Sequence, residues 1–395
     1  MIPSALVATA SASTLRDPGA DAGEHDDALD TVRELVAKVL APKVLDVDLK
    51  AEYPEAFLRE LGARGGFRGA ASPAHGGNGR GLHHVIRVME EVSRHCVSTG
   101  FLVWCQTACA RYLELSANEG LKRSYLPRIV RGELLAGSGL SNTMKSCDTI
   151  EEYRLSARRV DGGYRIQGVL PWVSNLGADH VFTTGCPVRD EQGQSLGLGF
   201  FLIDCAHEGI KLVDCAHFIG LDGTRTLACH FKDYFVPDAM VLAHVSQSAD
   251  YLARIKPGMI HAQMGMGLGL IEACTDLMAQ ANRTHSHVNR LLDDQVDDIA
   301  TALREARDAS YALADALDDP GRPAPILDVL RLRLAGGELG LRAAGAAMLH
   351  QGAKGYLVRN AAQRRLREAW FIAIVTPATK HLRWEIARLE APART

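Results

Sequence analysis

Residues 163–173, GYRIQGVLPWV, begin with alternating apolar and polar side chains, the period-two pattern of a β-strand. Five runs of similar character surround it: YRLSARRV (153–160), HVFTTGCPV (180–188), LGFFLIDC (198–205), IKLVDC (210–215) and LACHFKDYFV (227–236). Asp-Gly, Gly-Gln and His-Glu-Gly turns separate these runs. The pattern predicts an antiparallel β-barrel or sandwich domain at 136–248, without the strand–helix alternation of a Rossmann domain.

Helical periodicity replaces this pattern on both sides. Val32, Leu35, Val36, Val39 and Leu40 repeat at the spacing of one buried helix face, and residues 28–135 continue in this manner. After the strands, apolar stripes at about 250–284, 294–318, 324–349 and 358–389 predict a four-helix bundle within 249–395. We therefore expect an α+β fold that is mostly α, behind a disordered leader at 1–27.

The composition excludes several classes of protein. Of 395 residues, 47% are hydrophobic and 23% charged, with a formal net charge of −3, so a broad nucleic-acid or anionic-membrane surface is not expected. The nine cysteines are scattered without a CxxC pair. This pattern favours reduced thiols in a cytoplasmic protein and predicts no metal site.

Three motifs carry a resemblance to a known family. They are YLPRIVRGELLAGSGLSNTMKSCD (125–148), GVLPWVSNLGAD (168–179) and HQGAKGYLVRNAAQRRLREAW (350–370). Together with the helical–β–helical order, they resemble the acyl-CoA dehydrogenase superfamily of flavoproteins. The resemblance implies a helical domain, a β domain and a four-helix bundle, assembled as a homodimer or homotetramer with FAD at the domain junction.

The resemblance also implies site residues. Those expected to contact FAD are Leu140, Ser141, Trp172, Ser174, Arg283, Gln351 and Gly352. Trp172 would lie against one face of the flavin ring, while the hydroxyls of Ser141 and Ser174 would hydrogen-bond to it, since donors at the ring stabilise its reduced form. Cys147 and Asp148 would contact the substrate.

One expected residue is replaced. In acyl-CoA dehydrogenases an interruption of the last helix carries the glutamate that removes the substrate α-proton, and the matching position in REAWFIAIVTPATKHLRWEIARL (367–389) is Thr376. Some relatives carry this glutamate on the first bundle helix instead, where the present chain has Pro257. A threonine hydroxyl is not a base at neutral pH without an activator. His261 is a second catalytic candidate because imidazole can accept a proton.

Three functions follow from this replacement. The first is an FAD-dependent oxidoreductase that acts on a CoA or carrier thioester with non-standard chemistry. The second is a flavin-dependent oxygenase that uses O₂ on a thioester or aromatic substrate; its relatives often have a His-Asp-Pro turn, of which Pro377 matches the proline. The third is a catalytically degenerate partner subunit. The β-domain motifs favour the first.

Overall fold

The computed structural model describes residues 22–319, 321 and 324–391. A helical region, a sheet and a second helical region follow one another along the chain, which confirms the predicted fold class. Residues 1–21 of the predicted leader lie outside the described part, and its remaining residues begin the first helix. No helix among the described residues is both long and apolar enough to span a bilayer.

Six α-helices form the N-terminal region: α1 Ala22–Leu35, α2 Val44–Leu49, α3 Glu55–Ala63, α4 Gly81–His95, α5 Val97–Glu114 and α6 Glu119–Val130. Helix α5 is buried on nearly every side. It contacts α4 and α6 within its own region, the first strand of the sheet and the bundle. Its side chains can therefore reach the junction of all three parts.

The central sheet has eight strands: β1 Ala136–Ser138, β2 Leu155–Val160, β3 Gly163–Val173, β4 Val181–Arg189, β5 Ser195–Asp204, β6 Ile210–Asp214, β7 Leu227–Pro237 and β8 Val241–Ala243. Their order is β6-β7-β3-β2-β4-β5-β8, with β1 paired to β4. The six predicted runs correspond to β2–β7. The sheet is mixed and not purely antiparallel, because β1 and β2 both run parallel to β4. A short helix, α7 Ser141–Cys147, lies between β1 and β2.

The C-terminal region contains α8 Ser248–Ala262, α9 Met264–Asn289, α10 Val296–Asp318, α11 Ile326–Gln351, α12 Ala361–Ile374 and α13 Thr379–Glu390. The first and last predicted helices are each divided in two, at Gln263 and at residues 375–378. Close packing explains two glycines of α9. A Cβ at Gly265 would lie 2.7 Å from the Ile86 carbonyl oxygen, and one at Gly269 would lie 2.3 Å from that of Glu90. These glycines let α9 approach α4.

Candidate functional site

A cavity of about 420 Å³ lies where the N-terminal helices, the sheet and the last bundle helices meet. Its aromatic walls come from all three parts: Phe101, Trp104, Trp172, Phe218, Trp370 and Phe371. Its hydroxyls are Ser138, Ser141, Ser174, Thr224, Thr226 and Thr376. Residues far apart in sequence therefore form one site.

Two of these hydroxyls join the sheet region to the last helices. Ser141 begins α7, and Thr376 lies in the break between α12 and α13. Their Oγ and Oγ1 atoms are 2.7 Å apart, within hydrogen-bonding distance. Both residues line the cavity. The break predicted to carry a catalytic residue thus faces the segment predicted to contact the cofactor.

Hydrogen bonds explain how the chain tolerates this break. Gln263 donates through Nε2 to the Thr376 carbonyl at 2.8 Å, and its Oε1 accepts from Arg333 Nε at 2.9 Å. Arg333 also donates to the Ile372 carbonyl at 2.5 Å, while Thr379 Oγ1 donates to that of Ala373 at 3.0 Å. Carbonyls that the interrupted helix leaves unpaired are satisfied in this way.

The guanidinium of Arg333 is unusual because it is almost fully buried and forms no ion pair with a described carboxylate. Burial lowers the pKa of Arg333 to about 10. The group remains a cation at neutral pH, and the partial negative charge at the C-terminal end of α12 partly compensates it. Arg333 therefore acts as a cap for the helix that leads into Thr376.

A second group of hydroxyls lies beside the exposed indole of Trp172. Ser174 Oγ and Thr226 Oγ1 are 2.5 Å apart, and Thr226 Oγ1 is 2.8 Å from Thr224 Oγ1. Trp172 is 58% exposed and meets the ring of Phe218 edge-on at 6.2 Å. An exposed indole that lines a cavity is typical of a surface that a ligand covers.

Among the described residues that line the cavity, two side chains are charged, and both are cations held in ion pairs. Lys145 Nζ lies 2.9 Å from Glu151, and Arg367 Nη2 lies 2.6 Å from Asp48. No aspartate, glutamate or histidine is among the described residues that line the cavity. A molecule bound in the cavity would therefore meet no described carboxylate or imidazole that could act as a base.

The structure brings four predicted residues to this junction. Ser141, Trp172, Ser174 and Thr376 line the cavity, whereas Leu140 is buried directly before α7 and supports Ser141 through the chain.

His261 does not lie in the cavity. It is buried in the bundle, where Nε2 donates to the Ser310 carbonyl at 2.8 Å and Nδ1 has no partner among the described residues. Burial lowers the pKa of His261 to about 4, so the imidazole is neutral at physiological pH. Since it does not line the cavity, the geometry does not support His261 as a catalytic base.

The other predicted contacts also lie away from the cavity-lining residues. Cys147 contacts the Tyr153 hydroxyl at 3.4 Å, and Asp148 belongs to a buried ion cluster; neither is among the residues that line the cavity, and their contact with a substrate remains a prediction. On the bundle, Arg283 is exposed on α9 and Gln351 donates to the Leu277 carbonyl at 2.8 Å. Gly352 has a φ of 58°, and a Cβ there would meet nothing within 4 Å. These three remain predictions about a neighbouring subunit.

Sequence reasoning missed the apolar end of the cavity. Phe101 and Trp104 stack with centroids 5.6 Å apart, and Phe371 meets Phe101 edge-on at 4.7 Å. In the sequence these residues belong to helical segments with ordinary apolar patterns and give no sign of a site. Thr226, which lies between the turn that ends at Thr224 and the start of β7, was missed as well.

Comparison with known proteins supports the same relationship. The family model described as "Acyl-CoA dehydrogenase, N-terminal domain" matches residues 22–133. The mitochondrial isovaleryl-CoA dehydrogenase of Arabidopsis thaliana is 26% identical over 359 residues, which cover 87% of this chain and 86% of that protein.

Solved structures share the fold. A glutaryl-coenzyme A dehydrogenase in complex with glutaryl-CoA superposes with a TM-score of 0.84 at 23% identity, covering 95% of this chain and 96% of that one. The dibenzothiophene monooxygenase of Paenibacillus sp. A11-2 gives 0.78 at 18% identity, covering 93% and 98%. The fold, the family-model match at residues 22–133 and the sequence relatives agree with one another, and together they support a relationship of this chain to the acyl-CoA dehydrogenase superfamily of flavin-dependent oxidoreductases.

Proposed function

We propose that this protein is an FAD-dependent oxidoreductase of the acyl-CoA dehydrogenase type that acts on an apolar group held as a CoA or carrier thioester. We further propose that its chemistry uses no carboxylate base and that Thr376 stands where relatives carry a catalytic glutamate. The observation that carries this proposal is the cavity lining, which combines hydroxyls and aromatic rings without a described carboxylate or imidazole.

The residues present fit a flavin ring. The exposed indole of Trp172 offers a flat apolar wall, and the hydroxyls of Ser141 and Ser174 lie on the same cavity. When bound, FAD would accept a hydride from the substrate. Ser141 and Ser174 would donate hydrogen bonds to the ring, and Trp172 would exclude water from one face.

The substrate group would fit the apolar end formed by Phe101, Trp104 and Phe371. The indole N–H of Trp104 already donates to the Met259 carbonyl at 3.2 Å, so the ring can offer its apolar face to a ligand. Thr376 would hold Ser141 and orient the substrate through its hydroxyl. A proton lost from the substrate would pass to water at the exposed side, near Trp172 and Ile219.

An oxygenase is the second candidate, because a hydroxylation need not begin with removal of an α-proton. The absence of a carboxylate or imidazole among the described lining residues favours this candidate, as does the aromatic character of the walls. The fold relationship to a dibenzothiophene monooxygenase agrees with it. In that case O₂ and an external reductant would be co-substrates.

A homodimer or homotetramer in the cytoplasm is part of the proposal. Leu349 lies in the last turn of α11, Tyr356 and Val358 lie in the segment that follows it, and all three are at least 65% exposed. Such an apolar surface is typical of a subunit contact. The small net charge agrees with a protein that does not bind nucleic acid or membranes.

The test is anaerobic titration of the FAD-loaded protein with a panel of acyl thioesters. Bleaching of the flavin absorbance without O₂ would support dehydrogenation. Turnover only with an added reductant and ¹⁸O₂, with label in the product, would support the oxygenase instead. A protein that is colourless after incubation with FAD and removal of the unbound FAD would contradict both candidate functions.

A further inference from the structure

Four charged or titratable side chains form a buried cluster behind the cavity. Asp148 directly follows α7, Lys256 lies on α8, and His381 and Glu385 lie on α13. Lys256 Nζ is 3.0 Å from Asp148 and 2.6 Å from Glu385, while His381 Nε2 donates to Asp148 at 2.8 Å. The side chains of Asp148, Glu385 and His381 are each at most 5% exposed.

The chemistry of the cluster is that of an internal ion network. Ligand atoms of Asp148, His381 and Glu385 lie within 4.8 Å of one another, a spacing that could suit a metal ion. The ammonium of Lys256 already supplies the cation between the two carboxylates, however, and no metal is needed. Burial opposes ionisation of Asp148, but hydrogen bonds from His381 and Lys256 outweigh it and lower the pKa of the carboxyl.

The position of the cluster links it to the site. Asp148 fixes the C-terminal end of α7, whose first residue is Ser141. His381 fixes the first turn of α13, directly after the break that contains Thr376. The two segments that carry the hydroxyl pair are thus bound to one another a second time, through buried charges. Two attachments determine both the separation and the orientation of the segments.

We propose that Lys256 is a positioning residue, which through Asp148 and Glu385 holds Ser141 and Thr376 at hydrogen-bonding distance. This inference rests on the proposed function, because it assigns the pair a role in binding the flavin. Lys256 acts through its two carboxylate partners and does not itself line the cavity. Its removal would leave the two buried carboxylates with only the half-exposed Arg388 as a cation, 3.5 Å from Asp148 and 4.0 Å from Glu385, so their mutual repulsion would increase.

The experiment compares Lys256→Met with two controls. Arg254→Met removes an exposed ion pair with Asp250 from the same helix, and Lys256→Arg keeps the charge. We expect Lys256→Met to weaken FAD binding, measured by flavin fluorescence, by about fivefold, the value of one lost hydrogen bond. Arg254→Met should have no effect, and Lys256→Arg should restore most of the affinity. Should Lys256→Met fail to fold, Glu385→Gln removes one charge at nearly constant shape and carries the same expectation.

A double-mutant cycle separates positioning from general destabilisation. Thr376→Val removes one hydroxyl of the pair, so the Lys256→Met change should weaken FAD binding no further in that background, while losses of thermal stability should add. Equal losses of affinity in both backgrounds would overturn the proposal.

Crystal structures of the wild type and Lys256→Met decide the matter even without FAD. If the Ser141 and Thr376 hydroxyls lie beyond hydrogen-bonding distance in the variant, the positioning role is supported. This result would hold even if the wild type bound no flavin and the proposed function failed. An unchanged pair, together with unchanged FAD affinity, would overturn the inference while leaving that function intact.

Discussion

The hydroxyl of Ser141 lies 2.7 Å from that of Thr376, although 235 positions separate them in the sequence. One belongs to the first residue of α7 and the other to the break that divides the last two helices. This contact unites the two motifs of greatest functional interest in a single cavity. The side chain at the position that we propose to match the relatives' catalytic glutamate is a neutral hydroxyl.

Removal of the Thr376 hydroxyl tests whether its hydrogen bond with Ser141 contributes to FAD binding. Thr376→Val keeps the shape of the side chain but removes the hydrogen bond, so FAD affinity should fall by about fivefold. Thr376→Ser retains the hydroxyl and is the matched control. Isothermal titration with FAD measures the difference, and equal affinities for both variants would show that the hydroxyl is not needed.

Introducing a carboxylate at the same position tests the assignment of the missing base. Thr376→Glu should produce or increase acyl-CoA dehydrogenation, because a positioned general base contributes about 10²–10⁴-fold in rate. Thr376→Gln has the same size without the basic group and should not show the gain. Anaerobic stopped-flow reduction by a thioester panel is the measurement, and a Glu variant no faster than the Gln variant would contradict the assignment.

The indole of Trp172 offers a separate test of the flavin surface. Trp172→Ala should weaken FAD binding by about tenfold or more, since stacking of aromatic groups is worth about 1 kcal/mol beyond the area buried. Leu196→Ala is a suitable control because this apolar side chain has a similar exposure, 54% against 58%, and does not line the cavity. If both variants bind FAD equally well, the ring does not lie against Trp172.

The contribution of Gln263 to the break between α12 and α13 can be measured as a change in the free energy of unfolding. Gln263→Leu would leave the Thr376 carbonyl without its donor and the buried Arg333 without one acceptor, at an expected cost of about 2 kcal/mol in the free energy of unfolding. The control Gln280→Leu changes an exposed glutamine of the neighbouring helix α9. Urea unfolding of both variants gives the comparison; similar stabilities would refute the proposed support.

The buried imidazole of His261 should make the free energy of unfolding depend on pH. Its folded pKa is about 4 against an ordinary value of 6.5, so the unfolded chain binds the extra proton between these values. Stability should therefore fall as pH decreases from about 6.5 to 4, by up to about 3 kcal/mol from this residue. His261→Gln should reduce the slope, whereas the control His217→Gln, at a side chain that is 98% exposed, should not. Denaturant unfolding at several pH values tests this; parallel curves for wild type and His261→Gln would contradict it.

Much of the fold could be predicted because its signals are local. The strand that contains Tyr164 shows alternation, the strand that contains Phe200 is a short apolar run between turn residues, and the helices show regular apolar stripes. The parallel pairing of β1 and β2 with β4 was not predictable in this way, because it depends on contacts between distant segments. A strand of three residues such as β1 also has too few positions to show a period.

The site was predictable only where a motif carried it. Ser141, Trp172 and Ser174 belong to motifs, and the prediction of Thr376 rests on its distance along the chain from Arg367, Glu368 and Ala369. His261 was selected for its chemistry alone, and nothing in the sequence indicated that its ring packs against Ser310 and not into the cavity. Arg333 likewise appears in the sequence as one of many helix arginines. Its function depends entirely on being buried beside Gln263.

A crystal structure of the FAD complex tests the central claim most directly. We predict the flavin ring against Trp172, with the Ser141 and Ser174 hydroxyls within about 3.2 Å of its polar atoms and no carboxylate facing the substrate side. A ring bound elsewhere, or an aspartate or glutamate poised over it from another part of the chain or from a second subunit, would contradict the account.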